Sequence, residues 1–200
     1  MRPEFDLSDY GLLNGAIDEW MGDQTDWWVA DLIEFPPYER EGSDDSTGGQ
    51  YELLYDVTLA GDDLASFRWN WYEYVCCRPY PNYGHLSLVV DLDERRIIEV
   101  AEIVDLERLD EIHDIWLAQA SVEEILPVDY LDWSGADGPA FSSLALTPTG
   151  VEFGTDRLGA IGGTTTVVPY EALGDLVNQD LVARARGGTT PIRLVDSPDE

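Results

Sequence analysis

The chain has no lysine, only two cysteines and only two histidines among its 200 residues. Cys76 and Cys77 are adjacent, and a disulfide between neighbours needs a strained ring. We therefore expect two reduced thiols, or one that pairs elsewhere, that serve mainly in packing. No apolar run approaches the roughly 20 residues of a membrane-spanning helix, and residues 1–6 lack the apolar stretch of a signal peptide. These absences predict no membrane insertion. The N-terminus reads as cytoplasmic, whereas an excised ectodomain would be secreted or cell-surface.

Negative charge dominates the composition. The 41 Asp and Glu residues face 11 basic residues, all of them arginine, which gives a formal net charge of −30. Such a field repels nucleic-acid phosphates and anionic lipid headgroups. It also speeds encounter with cationic partners. The composition therefore argues against a nucleic-acid partner and permits a basic protein partner, although bulk solubility or adaptation to a salty host would produce the same acidity.

The length and the apolar content predict one folded domain. Hydrophobic residues make up 44% of the chain and aromatic residues 11%, which excludes a disordered polymer. At about 150 residues per domain, one domain over residues 1–195 with an acidic tail at 196–200 accounts for the chain. The oligomeric state is left open.

Alternating hydrophobic residues predict a β-hairpin in residues 51–75. Residues 51–59 and 67–75 each place large apolar side chains at every second position, with a Gly-Asp-Asp turn between them. A third strand carries Leu86, Leu88 and Val90 on one face, and residues 97–100 predict a short fourth strand. Further strands are predicted at 141–146, 151–153 and 164–168.

Helical spacing appears on either side of these strands. Residues 7–22 predict a helix that begins at Ser8, and Asp105 is predicted to cap a helix over 106–120. A further helix is predicted to begin at Pro169. Because strands and helices are segregated rather than alternating, the pattern predicts an α+β fold with a mostly antiparallel sheet packed against two or three helices.

Catalytic motifs are absent from the sequence. The chain has no G-x-S-x-G elbow, no Walker-type phosphate loop and no calcium loop, so no cofactor is predicted. The candidate closest to a reactive site is Cys76, Cys77 and His85, which could approach one another across a Pro-rich loop. A closed zinc site needs four ligands in a recognisable spacing, so a strand end and a loop anchor form the competing interpretation.

Two loop segments are candidates for partner binding. Tyr80, Tyr83 and His85 belong to a loop rich in Pro and aromatic residues, which offers rigid contact surface. The Gly-rich segment 154–163 contains Asp156 and Arg157 and resembles an adaptable contact loop. The alternatives are that the rings cover an open sheet edge and that 154–163 is a plain hairpin connection.

Two groups of segments resemble one domain family. Residues 72–74, 78–83, 88–92 and 103–106 resemble a Tyr-rich strand, a turn, a strand ending in Asp-Leu and a helix entrance. Residues 144–153 (LALTPTGVEF) and 167–173 (VVPYEAL) are similar to a second pattern of the same family. Together they resemble the RsiV-type domain of lysozyme-sensing anti-sigma factors, also found with peptidoglycan deacetylases and in a secreted mycobacterial antigen. The resemblance spans residues 10 to about 185.

The resemblance implies a curved antiparallel sheet packed on helices and a non-enzymatic role, in some members the binding of lysozyme. Charge, missing motifs and resemblance together predict a non-catalytic acidic domain that binds a basic protein, with an inhibitor-like, immunity-like or sensing role. The alternatives are a metal- or thiol-dependent enzyme centred on Cys76, Cys77 and His85, and an acidic mimic of DNA.

Overall fold

The structure, a computed structural model, describes residues 15–22, 50–74, 82–122, 143–155, 157–158 and 164–190. Two antiparallel sheets pack with helices, which confirms the predicted α+β class. The strands are β1 (Gln50–Ala60), β2 (Leu64–Tyr74), β3 (Asn82–Asp91), β4 (Arg96–Ile97), β5 (Ser143–Leu146), β6 (Gly150–Thr155), β7 (Arg157–Leu158) and β8 (Thr164–Pro169). The helices are α1 (15–22), α2 (Val100–Ile103), α3 (Leu109–Val122), α4 (Tyr170–Leu173) and α5 (Gln179–Ala185). Two 3-10 turns span Leu106–Arg108 and Gly174–Leu176.

The first sheet is built on the predicted hairpin. Its strand order is β1-β2-β3, and β4 and β7 pair with opposite ends of β3. Tyr55 lies opposite Trp69 and Val57 opposite Phe67, with a register shift between Val57 and Leu59. Because residues directly opposite share a face, the register divides the sheet into an aromatic face and a polar face.

The aromatic face packs against α1. Ile17 and Trp69 are fully buried there, and the rings of Trp20 and Trp69 lie 5.2 Å apart. Leu86, Leu88 and Val90 belong to the same cluster, as the alternation in β3 predicts. Burial of these large rings supplies much of the hydrophobic stabilisation on this side of the sheet.

The polar face receives the second sheet, which has the order β5-β6-β8. The Leu144 backbone N–H donates to Ser87 Oγ at 2.8 Å, and the Leu146 N–H donates to Ser66 Oγ at 2.9 Å. These bonds give two backbone donors of β5 a side-chain partner, as buried N–H groups require. Serines at alternate positions of β2 and β3 therefore fix where the second sheet sits.

Helices complete the larger core. Ile112, Trp116 and Ala120 of α3 are buried in one cluster with Phe153 of β6 and Val168 of β8. The predicted stripe on this helix is confirmed from Ile112 onward. Leu106 is 44% exposed instead, because Asp105 accepts from the Glu107 N–H and caps a 3-10 turn that turns Leu106 outward.

Three element boundaries differ from the sequence prediction. The strand predicted over 97–100 is limited to Arg96–Ile97, because Glu99 and Glu102 form a capping box that begins α2 at Val100. Pro169 ends β8, and the helix after it lasts one turn before a 3-10 turn. Helix α5 was not predicted, although Asn178 caps it by accepting from the N–H groups of Asp180 and Leu181.

An ion-pair cluster holds α5 against the first sheet. Arg184 Nη1 lies 2.8 Å from Asp91 Oδ2, and Arg184 Nε lies 2.7 Å from Asp63 Oδ2. Burial raises the pKa of Asp91, but the Arg184 hydrogen bond and the Glu94 N–H outweigh burial and hold that pKa below its usual value. The ionised carboxylate therefore stabilises the folded state.

We expect Asp91→Asn to lower the free energy of unfolding at pH 7 by about 1.5–3 kcal/mol, the worth of a hydrogen bond to a charged group. The folded pKa lies below the unfolded one, so this contribution is present above the unfolded pKa and is lost as the pH falls through the folded pKa. Urea unfolding at neutral and acid pH checks this, with Asp110→Asn on the exposed side of α3 as the control. A stability gap that stays constant down to acid pH would contradict it.

Within the described residues, no helix has the length and apolar character to cross a membrane.

Candidate functional site

The polar face changes from buried to exposed along the strands. Residues directly opposite one another on β1, β2 and β3 form successive rows across this face. The rows, from the buried end outward, are Ser66 with Val89; Asp56, Arg68 and Ser87; Leu54, Asn70 and His85; and Glu52, Tyr72 and Tyr83. Ser66 has no exposure, whereas Leu54 is 57% exposed. The second sheet thus covers one end of the face and leaves the other end accessible.

Arg68 joins the two sheets at the middle of this face. Its Nη2 lies 2.7 Å from Asp56 Oδ2 in β1, and its Nη1 lies 2.7 Å from Glu152 Oε2 in β6. Nη1 also donates to Thr165 Oγ1 of β8 at 3.2 Å. One guanidinium therefore bridges three strands besides its own, a role that its planar fork of donors suits.

Glu152 is the carboxylate most affected by this position. Burial raises its pKa, and the positive charge and hydrogen bond of Arg68 only partly oppose that effect. Since the folded pKa exceeds the unfolded one, ionisation of Glu152 costs stability at neutral pH. Arg68 offsets most of that cost, and the pair has a structural role between the sheets.

His85 lies in the interior next to this cluster. It is 7% exposed, and its Nδ1 lies 2.8 Å from Asn70 Oδ1. Asn70 Nδ2 in turn donates to Asp56 Oδ2 at 3.2 Å. A Cβ atom on Gly154 would lie 2.8 Å from His85 Cβ, so β6 packs directly on this side chain. The ring is placed to orient the polar cluster rather than to contact a partner at the surface.

The accessible end of the polar face is a small surface that we call the open end, formed by Glu52, Leu54, Tyr72 and Tyr83. The rings of Tyr72 and Tyr83 pack edge to face, with centroids 5.2 Å apart and planes at 62°. Both tyrosines are half-buried, and Glu52 is exposed directly opposite Tyr72. An apolar side chain, two rings and a carboxylate are thus grouped on one sheet surface.

The structure brings three of the predicted site residues to one corner of the sheet. Tyr83 and His85 are two positions apart on β3, and Tyr83 is the register partner of Arg157 in β7. Tyr80 and Asp156 lie outside the described residues. A role of these five residues in partner binding stays a prediction.

The Cys–His alternative is only partly within view. Cys76 and Cys77 lie outside the described residues, whereas the Nδ1 of His85 contacts Asn70. Among the residues that the structure describes, no group of three or more His, Cys, Asp and Glu side chains is arranged to hold a metal ion. The metal- or thiol-centred enzyme and the DNA mimic also stay predictions.

Arginines are locally outnumbered by acids. Five arginines make nine ion pairs with nine different carboxylates in the described parts of the chain. Arg96, for example, contacts both Glu94 and Glu102, and Arg108 contacts both Glu111 and Asp175. Each of these clusters except that of Arg186 carries a net negative charge. The positive residues therefore do not create a positive patch but are absorbed into acidic surroundings.

The sequence reasoning missed Arg68, Glu152, Asn70, Glu52 and Leu54. A signal was present, because Arg68 and Glu152 are single charges flanked by large apolar residues in strands predicted to be buried. Buried charges are normally paired, so each implied a partner. The identity of that partner required the register of two sheets far apart in sequence.

Comparison with known proteins shows the fold. The structure is similar to the crystal structure of a DUF3298 family protein from Pseudomonas aeruginosa PAO1, with a TM-score of 0.58, 14% sequence identity, and coverage of 88% of this chain and 83% of that one. A member of the DUF3298 family from Bacteroides fragilis NCTC 9343 gives a TM-score of 0.54 at 14% identity, with coverage of 90% and 74%. No protein-family model and no curated protein sequence matches the chain. The chain therefore shares its fold with domains of unknown function.

Proposed function

We propose that this chain is a non-catalytic domain that binds a basic protein through its negative surface. The observation that carries this proposal is the uncompensated charge: the whole chain has a net charge of −30, and its arginines are paired with a larger number of carboxylates. A field of this kind raises the rate of encounter with cationic proteins.

The contact chemistry of the open end supports the same proposal. Tyrosines give large contact area at low entropic cost and are enriched at the energetic centres of interfaces. The sequence segments that resemble the RsiV-type family and the fold shared with DUF3298 proteins are consistent with a binding role. A lysozyme-type enzyme is the partner that we propose to test first, since lysozymes are often basic.

We expect the chain to associate with a C-type lysozyme in a strongly salt-dependent manner. Surface plasmon resonance at about 20 mM and about 200 mM NaCl should show the association rate constant falling by roughly tenfold or more, because added salt shortens the Debye length. The dissociation rate constant should change much less, since steering acts on encounter.

Two controls make this measurement specific. Cytochrome c is a basic protein without a substrate cleft, so it separates general attraction to cations from recognition of a lysozyme. A near-neutral protein of similar size should not bind. If none of several basic proteins binds at low salt, the proposal of a basic partner fails.

A further inference from the structure

The open end combines three kinds of chemistry that one cationic side chain would use together. Glu52 lies directly opposite Tyr72, and Tyr72 lies opposite Tyr83. Side chains of directly opposite residues are about 5 Å apart, and those of diagonal neighbours are within about 8 Å. Leu54, the most exposed large hydrophobic residue of the described chain, is two positions along β1 from Glu52.

We propose that the open end is the docking site for an arginine or lysine side chain of the basic partner. This inference rests on the proposed function and names the place and the chemistry of the contact. The alkyl stem packs on Leu54, the cationic head lies against a tyrosine ring, and the carboxylate of Glu52 faces it. Long basic side chains bury their stems while their charge stays solvated, and a cation is attracted to the face of an aromatic ring.

Charge selects this occupant over a second copy of the chain. A self-associating surface would bring two molecules of −30 charge together, and it would place Glu52 near its own copy or near other acids. Like charges brought together in an interface oppose association. The neighbouring cation on this face, Arg68, is already held by Asp56 and Glu152, so Glu52 retains its negative field toward the partner.

Nona-arginine and nona-citrulline are suitable probes, because citrulline is the uncharged isostere of arginine. At about 0.15 M salt the Debye length is about 8 Å, so remote charges are screened and the local site dominates the differences among variants. Isothermal titration calorimetry on the full chain should show binding of nona-arginine and none of nona-citrulline.

Variants of the open end identify the contact. Tyr72→Leu keeps the apolar volume but removes the ring, and we expect about three- to fivefold weaker binding of nona-arginine, with Tyr72→Phe close to wild type. Glu52→Gln should weaken binding by about two- to fivefold. Asp110→Asn changes the net charge equally on α3 and should bind like wild type. Thermal unfolding of each variant shows whether it folds, and Glu52→Gln carries the test if Tyr72→Leu does not.

The outcomes separate the two proposals. If wild type binds nona-arginine but Tyr72→Leu and Glu52→Gln bind it as tightly as Asp110→Asn does, the cation site lies elsewhere and only the proposed function survives. If nona-citrulline binds as well as nona-arginine, the contact is not cationic and the docking proposal is wrong. If wild type binds neither nona-arginine nor any basic protein, both proposals fail.

Discussion

Arg68→Ala is expected to lower the free energy of unfolding at pH 7 by about 3 kcal/mol, because it leaves two enclosed carboxylates without their cation. Asp56 and Glu152 each contact this guanidinium at 2.7 Å, and their side chains are only 20% and 12% exposed. The contact with Thr165 is lost as well. Denaturant unfolding followed by tryptophan fluorescence measures the difference.

The pH dependence of this variant has a definite sign. Burial raises the pKa of Glu152, and Arg68 opposes that rise, so removal of Arg68 raises this pKa further. A carboxyl whose folded pKa exceeds its unfolded pKa gains stability as the pH falls and loses it as the pH rises through the folded pKa. The stability gap between wild type and Arg68→Ala should therefore be widest at neutral pH and narrow toward the ordinary Glu value of 4.5.

Two further variants test the cause. Arg68→Lys keeps the charge but cannot bridge Asp56 and Glu152 with one planar fork, so a partial loss is expected. Arg68→Ala combined with Glu152→Gln should recover part of the loss, since one unpaired carboxylate is removed. Equal losses for the single and double variants at every pH would show that packing, and not charge, accounts for the effect.

Gly150→Ala should be as damaging as the loss of Arg68, with a destabilisation of about 3 kcal/mol or more from overpacking. A Cβ atom at this position would lie 2.2 Å from the backbone oxygen of Val168 and 2.8 Å from its carbonyl carbon. Gly150 begins β6, and its N–H donates to Thr147 Oγ1 at 3.0 Å. Because the obstacle is backbone, relief requires that β6 and β8 separate.

Gly15→Ala is the matched control for this substitution. Gly15 is exposed in α1, and a Cβ atom there would meet nothing within 4 Å. Alanine is favoured over glycine in a helix by up to about 1 kcal/mol, so this variant should be neutral or more stable. Thermal unfolding of both variants compares them. A melting temperature for Gly150→Ala equal to that of wild type would contradict the close approach of β6 and β8.

The hairpin could be predicted because its signal is local. Strict alternation in β1 and β2, with Trp69 and Phe67 on one face, fixes both the strands and the buried side. Helix α5 was missed because its cap, Asn178, follows a 3-10 turn and not an obvious loop. Short elements of this kind are decided by tertiary packing more than by intrinsic propensity.

The division of the strands into two sheets could not be derived from the sequence pattern. It depends on contacts such as Ser66 to Leu146 and Arg68 to Glu152, which join residues about 80 positions apart. The same limit applied to the candidate site. Tyr83 and His85 were correctly placed near each other on β3, but only the register shows that His85 faces Asn70 in the interior while Tyr83 lies beside Tyr72.

A two-dimensional NMR titration of the isotope-labelled chain with a C-type lysozyme or nona-arginine tests the central claim most directly. The claim predicts shift changes concentrated on the Tyr72 and Tyr83 rings and on the backbone near Glu52 and Leu54, with little change in α3. Changes confined to α3 and α5, or no change with any cationic ligand at low salt, would contradict it.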